Sequence, residues 1–468
     1  MGVYFVRIYK INRGYYEKNS VNDSHIVAIR KFPYPYRAAI TICSDIDRTE
    51  TLEEFLEINK FINTKEITSM GKGVGLKLGN TFLMYETPNR TISYFNSEPA
   101  VAGNIIRLIN NGHIDVIHSF GKKGDFTRQD AIRAIDELNY RNSKIDVWVD
   151  HTKSKDNMGD DVTFGLGDHP DSNAYHADLT LSYGIKFLWL GRVTMAVGQA
   201  VPISWRNFLS VYDSNYPFHS FLNLTKELTK HVLAVFGNQK FAMHKDNDIV
   251  RIARLDDGQK AFEFIRFDNY WRGVGTGANC KNLAYVISKR TLNRLMEAEG
   301  YMVVYTHFGM NDNCSQFICR DTQLALQNLA HENKAGNIFV TTTSKLLNYY
   351  VRHKYLNWSY KAVGDEITIQ IHNVKDPIFG TYVPSVQQLE GFTFYVPDNY
   401  NAKIFLENQK ITDVRQNPAD HTERKSYTIL PHFKFGRIDQ NKTVCVLAGS
   451  LLAMKPTRKS KELFGVRL

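Results

Sequence analysis

What the chain lacks narrows its identity first. No stretch approaches the roughly 18 consecutive apolar residues that cross a bilayer. The start, Met1-Gly2-Val3-Tyr4-Phe5-Val6-Arg7, has neither the apolar core of a secretory signal nor the Ser or Thr of a myristoylation site. A cytoplasmic protein with no transmembrane segment is therefore expected. The five cysteines, Cys43, Cys280, Cys314, Cys319 and Cys445, include no CxxC pair and no dense framework. That excludes a zinc ribbon or a disulfide-stapled scaffold and predicts reduced thiols. No GxGxxG follows the first strand-like run, which argues against an open dinucleotide-binding sheet. The net charge is +10, yet Lys and Arg are dispersed apart from a basic tail over residues 451–468, and no nucleic-acid motif accompanies them. No nucleic-acid partner is expected.

What is there points to a large α/β protein. With 468 residues, 43% hydrophobic and 23% charged, the chain can bury more than one core. Aromatics make up 12%, and rings not needed in a core stack on sugar faces, so a carbohydrate ligand is compatible with this composition. From residue 37 to about 350, short apolar runs alternate with amphipathic helices. Strands are expected at Ala38–Cys43, Thr81–Tyr85, Ile114–His118, Ile145–Val149, Ile185–Leu190, Ala261–Phe267, Met302–Tyr305 and Ile338–Thr341. Helix signals lie between them: a capping box at Thr51 and Glu54, caps at Thr127 and Ser288, and a helix over Ala174–Tyr183 closed by Gly184. The pattern predicts an irregular TIM-like (β/α) barrel of seven to eight strands over residues 35–350, after an N-terminal extension at 1–34. Beyond residue 355 the texture changes to period-two runs at Glu366–Ile371, Phe392–Val396, Lys403–Leu406, Ser426–Ile429 and Thr443–Leu447. These predict a C-terminal β-sandwich over 355–450.

Parallel barrels carry their chemistry at the carboxyl ends of the strands. There the sequence places Asp45 and Asp47, then His118-Ser119, then Asp150-His151, then Thr306-His307. Asp45 and Asp47 are two residues apart and should project to one face, where two carboxylates need a cation to stay ionised. An Asp with two His suits a divalent ion that keeps a position open for water. Singly, each piece has a plainer reading: Asp as a helix cap, His as a hydrogen-bonded strand end, Asp168-His169-Pro170-Asp171 as a turn, and Tyr175-His176-Ala177-Asp178 as a helix face. Trp189 and Arg192 follow another strand and are candidates for the substrate rim. The cluster Asn269-Tyr270-Trp271-Arg272-Gly273 could line a sugar site, through Trp271, or pack beneath a loop.

Residues 35–345 resemble the polysaccharide deacetylase superfamily (carbohydrate esterase family 4, NodB homology). The likeness is carried by Ile40-Thr41-Ile42-Cys43-Ser44-Asp45-Ile46-Asp47, by Asn111-Gly112-His113-Ile114-Asp115-Val116-Ile117-His118-Ser119 and by Tyr301-Met302-Val303-Val304-Tyr305-Thr306-His307. The resemblance implies Asp45 as base, Asp47 and His118 as metal ligands, His307 as acid, and Zn²⁺ or otherwise Co²⁺ or Mn²⁺ as cofactor. The substrate implied is an acetylated polysaccharide or oligosaccharide. Ile46 separates aspartates that the family keeps adjacent, Lys122 stands where its second histidine ligand belongs, and Arg266, in Phe264-Ile265-Arg266-Phe267-Asp268, is the loose counterpart of its Arg-x-Pro-Tyr motif and a substrate-binding candidate. Either His151 replaces that ligand or the metal site is altered. Two other readings stay open: a glycoside hydrolase using paired carboxylates, and a non-catalytic carbohydrate-binding barrel in which Lys122 pairs with Asp47 in place of a metal.

Overall fold

The computed structural model describes residues 27–87, 91–122, 124–151, 154–270, 278–311 and 314–431. The β-branched run AAITICS forms β1 (Ala38–Ser44), buried at every position, as expected for a central strand covered on both faces. Ten further strands join it in one mixed α/β sheet. They are β2 (Gly79–Phe82), β3 (Val116–His118), β4 (Val147–Val149), β5 (Phe187–Trp189), β6 (Val193–Thr194), β7 (Val250–Arg254), β8 (Lys260–Phe264), β9 (Arg266–Phe267), β10 (Tyr301–Thr306) and β11 (Ile338–Val340). Ten lie in the order β7-β8-β5-β4-β3-β2-β1-β10-β9-β6, with β11 paired to β1. Only the β7–β8 pairing is antiparallel. The run expected at Ile185–Leu190 shortens to Phe187–Trp189, and the one at Ala261–Phe267 breaks in two: Phe262 stands opposite Phe187, then Arg266 opposite Val193 and Phe267 opposite Val304. The sheet therefore curls.

Pleating divides the side chains of this curled sheet into two sets. Ile40 and Ile42 of β1, Ile117 of β3 and Trp148 of β4 pack outward into two helix-covered clusters. Ala39 and Cys43, Val116, Val147 and Val149, Phe187 and Trp189, Phe262 and Phe264, and Tyr301 and Val303 share the inner cluster. Helix Thr343–Tyr355 closes that inner space through Leu346, Leu347, Tyr350 and Val351, and Thr41 meets Thr343 hydroxyl to hydroxyl at 3.2 Å. Thr127 and Ser288 cap their helices as expected, and Gly184 at φ 127° ends helix Ala177–Tyr183. The Thr51–Glu54 box is half formed, because Glu54 reaches back to the Glu50 N–H. Cys314 and Cys319, expected as thiols, are joined in a disulfide, whereas Cys43 and Cys280 are free and buried. No helix among the described residues is long and apolar enough to cross a membrane.

Two smaller sheets follow. One runs Leu356–Val363, Glu366–Asp376, Asn401–Leu406 and Gln409–Lys410, with Gly380–Tyr382 on Glu366–Asp376. The other runs Ala28–Arg30, Thr393–Tyr395, Ser426–Ile429 and Val414–Asn417. The period-two residues Ile367, Ile369 and Ile371 of the first share one apolar cluster with Phe394, Tyr427 and Ile429 of the second. Ala28–Arg30, which falls in the segment expected as an extension, is thus a strand of the C-terminal sheet. The strand expected at Thr443–Leu447 and the basic tail lie outside the described residues.

Arg30 ties these parts together. Its buried guanidinium donates to Asp420 at 2.7 Å and to the carbonyls of Phe32, Pro33 and Pro35 at 2.9–3.0 Å. Burial would raise the Asp420 carboxyl, but hydrogen bonds from Thr422, Arg30 and Tyr395 outweigh it and bring it from 3.8 to about 2. The unfolded chain binds more protons in that range, so this contribution is complete above about pH 4 and fades as the pH falls towards 2. Arg30→Ala removes the charged partner of that carboxylate, which keeps Thr422 and Tyr395, and is expected to cost roughly 1–3 kcal/mol at pH 7. Urea unfolding should find a smaller penalty at pH 3.

Candidate metal centre

The centre is built by continuing the inner parity of each strand past its carboxyl end. On β1, Ala39, Thr41 and Cys43 face inward, and Asp45 and Asp47 extend the same series. Ile46 goes the other way, into the cluster with Leu52, Phe55 and Phe82. The single residue between them is thus what lets both aspartates face the same way. By the same step of two, Val116 leads to His118, Val149 to His151, Phe264 to Arg266 and Asp268, and Tyr305 to His307. Both Asp47 and His118 are followed by residues with left-handed backbone, Arg48 at φ 60° and Ser119 at φ 48°. Such strain concentrates where a site over-determines the chain.

Asp47 lies between two imidazoles. Its Oδ2 is 2.9 Å from His118 Nε2 and its Oδ1 is 3.0 Å from His151 Nε2. One ligating atom from each of the three residues lies within 4.8 Å of the others, so this group could hold a metal ion. Burial disfavours the charged form of Asp47, yet His118, His151 and His307 hold the carboxyl well below the usual range. At His118 desolvation lowers the imidazole, and the charges of Asp45 and Asp47 more than reverse it. A carboxylate and two imidazole nitrogens converging in a negative potential fit a divalent cation.

Asp45 has a different partner. Arg266, fully buried, grips it with both terminal nitrogens, at 2.9 and 3.0 Å. The guanidinium lies over the neighbouring rings of Trp189 and Tyr305, 4.5 and 4.7 Å from their centroids. Burial pushes the Asp45 carboxyl up, and Arg266 with His118 and His307 pulls it below its ordinary value. His307 Nε2 stands 3.6 Å from Asp47 and 4.0 Å from Asp45, while its Nδ1 is turned to the Ala278 carbonyl. All five named catalytic and ligand candidates therefore meet.

The remaining candidates sit elsewhere or act differently. Arg192 is ion-paired with Asp160, Asp161 and Glu263, and the Trp189 indole donates to the Arg192 carbonyl at 2.8 Å. Arg266 serves Asp45 and is buried away from solvent. Trp271 lies outside the described residues. Lys122 pairs with Asp130 at 3.2 Å and Asp125 at 3.8 Å. Lys122 is therefore not paired with Asp47, the contact that would have favoured the non-catalytic reading. His176 is a buried helix-end residue bonded to the Asp156 carbonyl and Thr180.

Three supporting residues were not singled out from sequence. Asn157 accepts the His151 N–H at 2.8 Å and donates to its carbonyl. Asp156 accepts the N–H groups of Phe120 and Gly121 just beyond His118, so one loop braces both histidines. Asp268 is buried, accepts the Tyr270 N–H at 2.8 Å, and is pushed up to about 6 by burial. Its step-of-two relation to Arg266 was the signal available. Gly309 lets the loop after β10 approach, since a Cβ there would meet the Thr49 backbone nitrogen at 2.6 Å.

Metal binding checks this arrangement. In calorimetric titration with Zn²⁺ or Co²⁺, the full-length protein should take up one ion at this centre. His118→Ala or His151→Ala should lose more than the roughly 10–100-fold typical of an outer partner, and Lys122→Ala should bind as tightly as the parent. No protein-family model matches the chain and no curated protein matches it, so the reading of this centre rests on its own geometry.

Proposed function

We propose that the chain is a metal-dependent hydrolase that removes acyl groups, acetyl foremost, from an amino sugar in a polysaccharide or oligosaccharide. The reading takes the curled sheet as an irregular barrel of the polysaccharide deacetylase kind, with the two C-terminal sheets as an appended β-sandwich. The observation that carries it is the division of labour between two neighbouring aspartates, one among imidazoles and one clasped by Arg266. Asp47, His118 and His151 would hold the ion, for which Zn²⁺ is the best match and Co²⁺ or Mn²⁺ alternatives. Such an ion, when bound, lowers the pKa of water and polarises an acyl carbonyl. Asp45, kept ionised by Arg266, is the group placed to accept a proton. With Nδ1 donating to the Ala278 carbonyl, His307 in its doubly protonated form would hand the Nε2 proton to the departing amine and be left as the neutral Nδ1–H ring. Asn157 and Asp156 keep the histidines oriented.

A glycoside hydrolase is the second reading. It requires a carboxyl that stays protonated at working pH. Asp45 and Asp47 are both held as carboxylates, so it would have to draw on a raised carboxyl such as Asp268, pushed up to about 6. The two chemistries give different products. With N-acetylated oligosaccharides and added Zn²⁺, acetate should accumulate without new reducing ends. Asp45→Asn should lower kcat by about 10²–10⁴ while still binding the ion. Reducing ends without acetate, formed equally by His118→Ala and lost in Asp268→Asn, would establish the glycosidase instead.

A further inference from the structure

Helix Pro217–Val235 is amphipathic the wrong way round for a surface helix. It buries Ser220, Asn223, Glu227 and Ala234, and turns Phe218, Phe221, Leu222, Val232 and Leu233 to solvent. The polar groups are consumed inside: Glu227 meets the Thr194 hydroxyl at 3.0 Å, Lys230 at 2.6 Å and His244 at 3.5 Å. Along the outer stripe Thr225 and Thr229 donate their hydroxyls back to the carbonyls of Phe221 and Thr225, both at 2.9 Å. What they leave at the surface is methyl groups. Trp205, which opens the preceding short helix Trp205–Leu209, is 75% exposed, and Phe236, just past the end of Pro217–Val235, is 85% exposed. Eleven of the twenty large exposed apolar side chains among the described residues fall within residues 205–236. A monomer does not ordinarily leave such a patch to water.

Charge identifies the occupant. Within residues 204–240 the carboxylates are Asp213 and Glu227, both buried; Asp213 is taken by Arg290 and Tyr285. Arg206, Lys226 and Lys240 are exposed, Lys240 also reaching Asp161 at 2.8 Å. Aromatic and aliphatic side chains flanked by cations, with acids withdrawn, match the interface of an anionic bilayer. A second copy would bring two cationic faces together. Residues 1–26 and 432–468 each carry more Lys and Arg than Asp and Glu, so neither chain end complements the face. We propose that helix Pro217–Val235 and its flanking turns dock on an anionic lipid bilayer surface, without crossing it.

Co-sedimentation of the full-length protein with phosphatidylcholine vesicles, with and without phosphatidylglycerol, tests this. Binding should require phosphatidylglycerol, weaken with added salt, and fall about tenfold or more in Phe218→Ser/Phe221→Ser, a variant expected to keep the parent's thermal midpoint because both rings are exposed. A Phe221→Cys variant should react readily with a maleimide in dilute solution and be protected by the anionic vesicles. Three results overturn the proposal. The first is protein left in the supernatant with both vesicle types. The second is a dimer that dissociates in the double variant and ignores lipid, which assigns the face to a second copy. The third is slow labelling of Phe221→Cys in the dilute monomer, which assigns it to the chain's own ends.

Discussion

The centre depends on the two-residue period of the pleated strand. Each strand delivers one series of side chains to the concave face of the curled sheet, and that series changes from apolar to ionisable at the strand's carboxyl end. Cys43 gives way to Asp45 and Asp47, Val116 to His118, Val149 to His151, Phe264 to Arg266. A one-residue slip in any of these would bury a carboxylate or imidazole among the helices outside and turn a Trp148 or an Ile46 into the mouth. The apolar part of the series also fixes depth, because helix Thr343–Tyr355 seals the opposite end of the same interior and leaves solvent only the ionisable end.

Burying Asp45 and Asp47 side by side creates the second constraint. Two carboxylates in a dry site repel, and one would protonate unless each found a counter-charge. The structure gives them different ones. Arg266 supplies a permanent charge in fork geometry, and its own desolvation is offset by the faces of Trp189 and Tyr305. The imidazoles around Asp47 supply charge only when protonated, and as neutral rings they supply lone pairs. That asymmetry makes the first aspartate a fixed anion and leaves the second open to exchange of its cationic partner.

Much of this was legible in the sequence because it is local. The runs Ala38–Cys43 and Met302–Tyr305 carry β-branched residues and end in polar groups, and parity assigns their neighbours without reference to the rest of the chain. The Asp45–Arg266 pair spans 221 residues and has no local signature, so Arg266 was expected against substrate, whereas it clasps Asp45. Trp189 ends a strand and Arg192 follows it, as expected. What occupies Arg192 is a pair of aspartates from the 160–161 loop together with Glu263, and no spacing rule announces them. Asn157 and Asp156 act through backbone groups of the loops beyond His151 and His118, contacts made by a loop whose path sequence does not specify. The apolar periodicity of residues 217–235 reads equally well with either face inward. Only the buried Glu227, held by Lys230 and His244, reveals that the polar face is the inner one.

His118 connects the electrostatics to the chemistry. Buried imidazoles ordinarily lose their proton, because desolvation penalises the charged ring. His118 instead binds its proton more tightly than a free histidine, since Asp45 and Asp47 place it in a negative potential that burial strengthens. A proton and a divalent ion sense the same potential at that nitrogen, and a ligand imidazole must give up the first to take the second. The feature that raises proton affinity is therefore also what favours a cation of higher charge. The competition between them would make an ion bound at this centre leave as the pH falls, even though Asp47 itself is held ionised well below the usual carboxylate range.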